Sequence, residues 1–104
     1  MSIEYCFVVS IKANPSWLKL DRPSRDNYWD RARLVIKEYA DRVSFSYYDA
    51  DAFQSHMSDM VICHAINPIE FHHLWDRLKD TALFCDGFYT ICDVRFGIKG
   101  VSHG

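Results

Sequence analysis

Glycine and proline are scarce in this 104-residue chain, at four and three residues, and none of them builds a Gly-rich phosphate loop. The four cysteines, Cys6, Cys63, Cys85 and Cys92, never fall in a CxxC pair. The short spacing that brings two thiolates to one zinc or redox centre is therefore missing, and the thiols read as small hydrophobes. No charge of one sign dominates, with 12 Lys and Arg against 14 Asp and Glu. That balance argues against nucleic acid as a partner, because sequence-independent binding needs a cationic excess. The longest apolar run, Tyr5 to Val9, falls far short of the ~20 residues of a membrane-spanning helix, so no membrane partner is expected. Glu4 and the lack of a basic residue before that run argue against a secretory signal, which makes the cytoplasm the expected location. A nucleophile elbow and an H-E-x-x-H helix are also missing. What the chain has in excess is aromatic side chains: three Trp, six Tyr and seven Phe, 15% of the total. So much apolar ring surface excludes disorder.

The pattern of elements follows from local chemistry. Residues 3–12 are β-branched and aromatic and stop at Asn14-Pro15, which predicts a strand and then a short turn with Trp17 packing back. Asp21 before Pro23 is a helix start, and Tyr28, Ala32, Val35 and Tyr39 recur at helical spacing behind it. Val43, Phe45 and Tyr47 alternate with Ser44 and Ser46, a period-two strand. A loop over 49–58 leads to a third strand from Met60 to Ile66. Asn67, Pro68 and Glu70 supply cap, first-turn proline and N3 acid for a second helix carrying Phe71, Leu74, Trp75 and Leu78 on one side. A fourth strand runs from Phe88 to Phe96. The order β-α-β-β-α-β over residues 1–104 predicts a single α+β, ferredoxin-like domain with both helices on one face of an antiparallel sheet.

Strands one, three and four are apolar on both faces, whereas a sheet wetted on one side should alternate. A homodimer closed sheet to sheet is the expected solution. Symmetric pairing of the second and third strands sets Tyr47 against Met60, Phe45 against Ile62 and Val43 against His64 on the helix side. Ser44, Ser46, Tyr48, Val61, Cys63 and Ala65 then face the partner. A charge at Val61 is expected to split the pair.

Tyr48-Asp49-Ala50-Asp51-Ala52-Phe53, followed by Ser58-Asp59, resembles the darcynin family. Asn14-Pro15-Ser16-Trp17-Leu18, and Leu74 to Thr81 leading into Phe84 and Phe88, extend the likeness over most of residues 5–98. The resemblance implies a dimeric α/β barrel of two ferredoxin-like protomers. That group includes cofactor-independent monooxygenases, polyketide cyclases, haem enzymes and stress-response proteins. It implies no catalytic residue. Where relatives favour a Trp followed by an acid, this chain has Cys63-His64.

On the predicted register His64 is the one ionisable group of a buried wall. Two readings stand: a catalytic base or axial ligand beside a pocket, or a core-edge histidine bonded to a backbone carbonyl. Trp29, Tyr39, Phe45, Tyr47 and Trp75 would line that pocket and bind a small aromatic ligand with His64. His72 stands one helical turn from Asp76 and counts as a ligand-binding candidate or as solvated helix surface. Asp49, Asp51 and Asp59 shape the loop, chelate a cation or serve a lid. Asp93 and Arg95 form an interface ion pair or orient substrate. His56 and His103 gain no role.

The leading reading is a homodimeric small-molecule-binding protein, its catalytic version a cofactor-independent enzyme on an aromatic or polyketide-like substrate with proton transfer by His64. No metal and no cofactor are expected. The alternative is a non-catalytic, self-associating or stress-associated module. A third reading binds haem through His64 or His72. A cavity above ~300 Å³ between sheet and helices favours the first and a filled core the second.

Overall fold

Two side chains start the long helices. The Asp21 carboxylate accepts the Ser24 backbone N–H at 2.9 Å, and Asn67 Oδ1 accepts that of Ile69 at 3.0 Å. The bonds to Ser24 hold the Asp21 carboxyl below the usual range. The computed structural model describes residues 3–50 and 56–100. Their elements are β1 (Tyr5–Ala13), α1 (Pro15–Leu18), α2 (Arg22–Glu38), β2 (Val43–Asp49), β3 (Asp59–Ala65), α3 (Pro68–Asp80), α4 (Ala82–Cys85) and β4 (Tyr89–Ile98). The strands form one antiparallel sheet in the order β2-β3-β1-β4. This is the α+β ferredoxin-like arrangement expected from the element order. Asp51, Ala52, Phe53 and His103 lie outside the described residues.

The end of α2 is tied to α3 by charge. Arg42 donates to the Glu38 carbonyl at 2.8 Å and to Glu70 Oε2 at 3.0 Å, while Arg77 donates to Glu38 Oε2. Glu70 thus bridges to Arg42. Both guanidinium groups lie over the buried Tyr39 ring, at 4.6 and 5.7 Å. Tyr39 is therefore a packing residue here. The Arg77 bond holds the Glu38 carboxyl below its ordinary value. At the other end of the sheet, Asn14 Nδ2 donates to the Gly87 carbonyl and to Thr90 Oγ1, each at 2.9 Å. Gly87 turns the chain there at φ +79°, where a side chain would be strained.

The strand register corrects two expectations. Val43 lies opposite Ala65, Phe45 opposite Cys63 and Tyr47 opposite Val61, one residue away from the symmetric pairing. A one-residue slip exchanges the faces of a strand. Val61, Cys63 and Ala65 therefore join Phe7, Val9, Ile11, Leu74, Trp75 and Leu78 in the buried core. Met60, Ile62 and His64 lie on the open side with Ser44, Ser46 and Tyr48. In β4 the pairing jumps between Ser10 and Ile11, leaving Cys92 as an extra residue. Beyond this bulge Val94 and Phe96 turn to the helix side with Ile91 and Tyr89, while Asp93 and Arg95 turn to the open side. Simple alternation along β4, without the bulge, would put Asp93 and Arg95 on the face of Tyr89.

Ring contacts run through a core whose largest fully buried side chains, Ile11, Leu74, Leu78 and Leu83, are aliphatic. Phe7 stacks on Phe71 at 3.7 Å, and Trp75 meets Phe45, Phe71 and Phe84 at 6.0, 6.2 and 5.8 Å. Among the described residues the buried Trp75 indole N–H meets no nitrogen or oxygen partner. Burial pushes the Cys63 thiol up to about 12, against a smaller lowering by Trp75. An unreactive Cys63 therefore reports the register. A thiol reagent on the native chain should label the exposed Cys85 and Cys92 and reach Cys63 only after denaturant is added. Fast labelling of Cys63 in the native state would refute the face assignment. Leu74, wholly buried, should lose about 2–5 kcal/mol of stability on change to Ala in urea unfolding.

Candidate functional site

Trp29, Arg33 and Ile36 fall at i, i+4 and i+7 of α2 and so share one face. That face lies over β2, whose alternation sends Phe45 and Tyr47 to the same side. Together these five residues line a groove of ≈ 260 Å³. The Trp29 and Tyr47 rings meet edge to face, 5.2 Å apart and at 74°. Trp29 meets Tyr89 in the same manner at 5.8 Å. Behind this corner lies Asp59, only 6% exposed. Ser58 Oγ donates to its Oδ2 at 2.8 Å, and the Ala13 N–H donates to that same Ser58 hydroxyl at 2.7 Å. Burial first, and then a hydrogen bond to Asp59, push the Tyr47 hydroxyl far above its ordinary value. Burial and the Asp59 charge push Tyr89 up to about 12.

The sequence-predicted residues divide into three places. Trp29, Phe45 and Tyr47 come together in the groove. Trp75 and His72 border a smaller groove of ≈ 140 Å³ between α3 and β4, with Phe71, Asp76, Lys79, Ile91 and Val94. Trp75 is buried there, whereas the His72 side chain is 70% exposed and sets Nε2 3.1 Å from Asp76 Oδ2. His64 is on neither wall, which corrects its expected place under the helices. The register puts it on the open side, exposed, with its backbone N–H donating to Ser44 Oγ at 3.1 Å. Ser44 Oγ also lies 3.3 Å from His64 Nδ1. It borders a wide hollow with Glu4, Arg42 and Ser44. Among the described residues no cluster of three or more His, Cys, Asp or Glu is placed to hold a metal ion.

Arg33 and the buried state of Asp59 escaped the sequence reading. By residue type Arg33 is one more charge on a solvated helix face, and only its i+4 spacing from Trp29 signals the groove. Asp59 looked like a loop acid, and only pairing opposite Ile11 brings it under α2.

The open side has its own anatomy. Cys6, Val8, Met60 and Ile62 are half-buried at its centre even without a cover. Ser44, Ser46, Tyr48 and His64 flank them on one side. On the other, Arg95 Nε donates to Asp93 Oδ2 at 3.1 Å.

No family model matches the chain, and no curated protein does. Solved structures do. A chlorite dismutase from Candidatus Nitrospira defluvii in complex with imidazole superposes with a TM-score of 0.85 at 14% identity, covering 95% of this chain and 41% of that one. A tryptophan variant of the same enzyme gives 0.87 at 15%, over 98% and 42%. A haem-binding protein from Thermus thermophilus gives 0.82 at 13%, over 92% and 39%. The chain is thus similar in fold to chlorite dismutase and spans about two-fifths of the length of these proteins. No helix among the described residues is long and apolar enough to cross a membrane.

The two tyrosines give the site a pH signature. Their folded-state values are raised above the ordinary 10.0, so the fold favours the neutral phenols. That contribution is fully present below about pH 10 and is lost as pH rises, for Tyr89 through about 12. Urea midpoints measured across the alkaline range should therefore fall above about pH 10, and less steeply in Tyr47→Phe. Identical alkaline slopes for the two proteins would contradict a buried Tyr47 hydroxyl.

Proposed function

We propose that this protein is a darcynin-like, small-molecule-binding domain that works as a homodimer closed through the open face of its sheet. The α2–β2 groove is its ligand site. The observation that carries the reading is the aromatic corner of Trp29 and Tyr47 beside Phe45, an apolar concavity with polar groups at its edges. The groove supports binding better than turnover. His64 lies on the opposite face and cannot take a proton from a ligand held there. Tyr47, held protonated, supplies hydrogen bonds and no base near neutral pH. The free cysteines suit a reducing compartment, and the cytoplasm is the location we propose.

Haem, suggested by the Thermus thermophilus relative in fold, does not fit these residues. The groove beside His72 holds ≈ 140 Å³, below the ~300–1,000 Å³ of ordinary ligand pockets, and the His72 Nε2 faces Asp76. The hollow beside His64 is wide and carries the charged Glu4, Asp41 and Arg42, which suits a haem poorly. One observation favours the alternative of a self-associating module without a ligand: the α2–β2 groove, at ≈ 260 Å³, is itself just under that range.

The two parts of the proposal separate by experiment. Saturable quenching of tryptophan fluorescence by flat aromatic compounds, weakened at least tenfold or so in Trp29→Leu, is the expected result for the groove. No saturable binding by a folded dimer would leave only the self-associating module. Light scattering should give twice the 12.2 kDa chain mass. Ile62→Glu should break that dimer or cause aggregation, whereas a charge at the fully buried Val61 should unfold the protomer itself. A stable, folded monomer at micromolar concentration would overturn the assembly.

A further inference from the structure

We infer that the α2–β2 groove selects a flat aromatic ligand bearing one anionic group, an aryl carboxylate in the simplest case, and that Arg33 is the residue that reads the charge. This rests on the groove being the ligand site. Three of its five lining side chains are aromatic, and the fourth, Ile36, is apolar. Trp29 and Tyr47 stand at 74° to one another, so they offer a planar ring both a face and an edge to pack on. The fifth, Arg33, is one helical turn beyond Trp29 on the same face. Its side chain is 62% exposed, which sets the guanidinium at the mouth while the stem borders the groove.

The charges at the two ends are opposite in sign. Asp30 Oδ1 takes one guanidinium nitrogen, Nη1, at 2.7 Å. A guanidinium carries five donors in a planar fork, so a second carboxylate can be met on its remaining edge. At the inner end the buried Asp59 lies behind Tyr47 and Tyr89 and repels an anion. A ligand anion is therefore directed to the mouth with its ring inward. A neutral ring gains nothing from the Arg33 charge, and a cation is repelled by it. Because Arg33 is more exposed than buried, its selectivity is modest, about tenfold rather than a thousandfold.

Calorimetric titration of the intact protein with naphthoate and with the neutral, nearly isosteric naphthamide tests the assignment. Naphthoate should bind about tenfold tighter than naphthamide. Arg33→Gln keeps a good helix former at an exposed position, and it should close the roughly tenfold gap between naphthoate and naphthamide, any loss from the shortened stem being shared by both compounds. Asp30→Asn removes the competing carboxylate and should tighten naphthoate alone. Equal affinities in the parent protein, or a carboxylate preference that survives Arg33→Gln, would overturn the role of Arg33 and leave the groove as a neutral aromatic site. Failure of both compounds to bind would overturn the groove as well.

Discussion

Val43 opposite Ala65 is the pairing on which the helix side of this protein depends. It places Val61, Cys63 and Ala65 beneath α3 and sends Phe45 and Tyr47 under α2. With β3 moved by one residue, Met60, Ile62 and His64 would enter the core, and a buried imidazole would need a partner that the apolar helices do not offer. Small Ala65 and Cys63 at the centre leave room for Trp75, Phe71 and Phe7 to pile up over the sheet. Packing chooses the register, and the register then decides which residues can meet a ligand.

The two long helices and their order were legible from the chain because capping is local, whereas the short α4 was not. Asp21, Asn67 and the prolines beside them act within one turn, and the structure uses each as the sequence suggests. The turn at 14–18, with Trp17 folded back, was legible for the same reason. Register was not. β1 and β3 are apolar on both faces, so hydrophobic alternation, which normally fixes a strand's orientation, carries no information there. The bulge at Cys92 was equally silent, since nothing in Cys92-Asp93 sets it apart from a regular strand. These two shifts moved His64 and Asp93 to the open side. They left Trp29 and Tyr47 in place, because α2 and the clearly alternating β2 were read correctly.

The two faces of the sheet answer different needs. On the helix side, the layers part along α2 and β2 to leave a groove, and less widely between α3 and β4. On the open side, a small apolar centre is bordered by serines, a histidine and an ion pair, the arrangement of an interface with a dry middle and a wet margin. The fold is shared with proteins more than twice as long, of which this chain covers 41% in the chlorite dismutase. The α2–β2 groove and the open face are thus separated by the thickness of one sheet.

The bulge in β4 bears on how copies of this chain meet. β4 is an edge strand of ten residues, long enough for its outer row of N–H and C=O groups to template another strand. Cys92 breaks that row near its middle and adds local twist, so an incoming strand meets two short stretches out of phase with each other. Growth of the sheet sideways, the route to open-ended fibres, is discouraged at its most exposed border. A pair formed through the open face, as proposed above, would by contrast close on itself and stop.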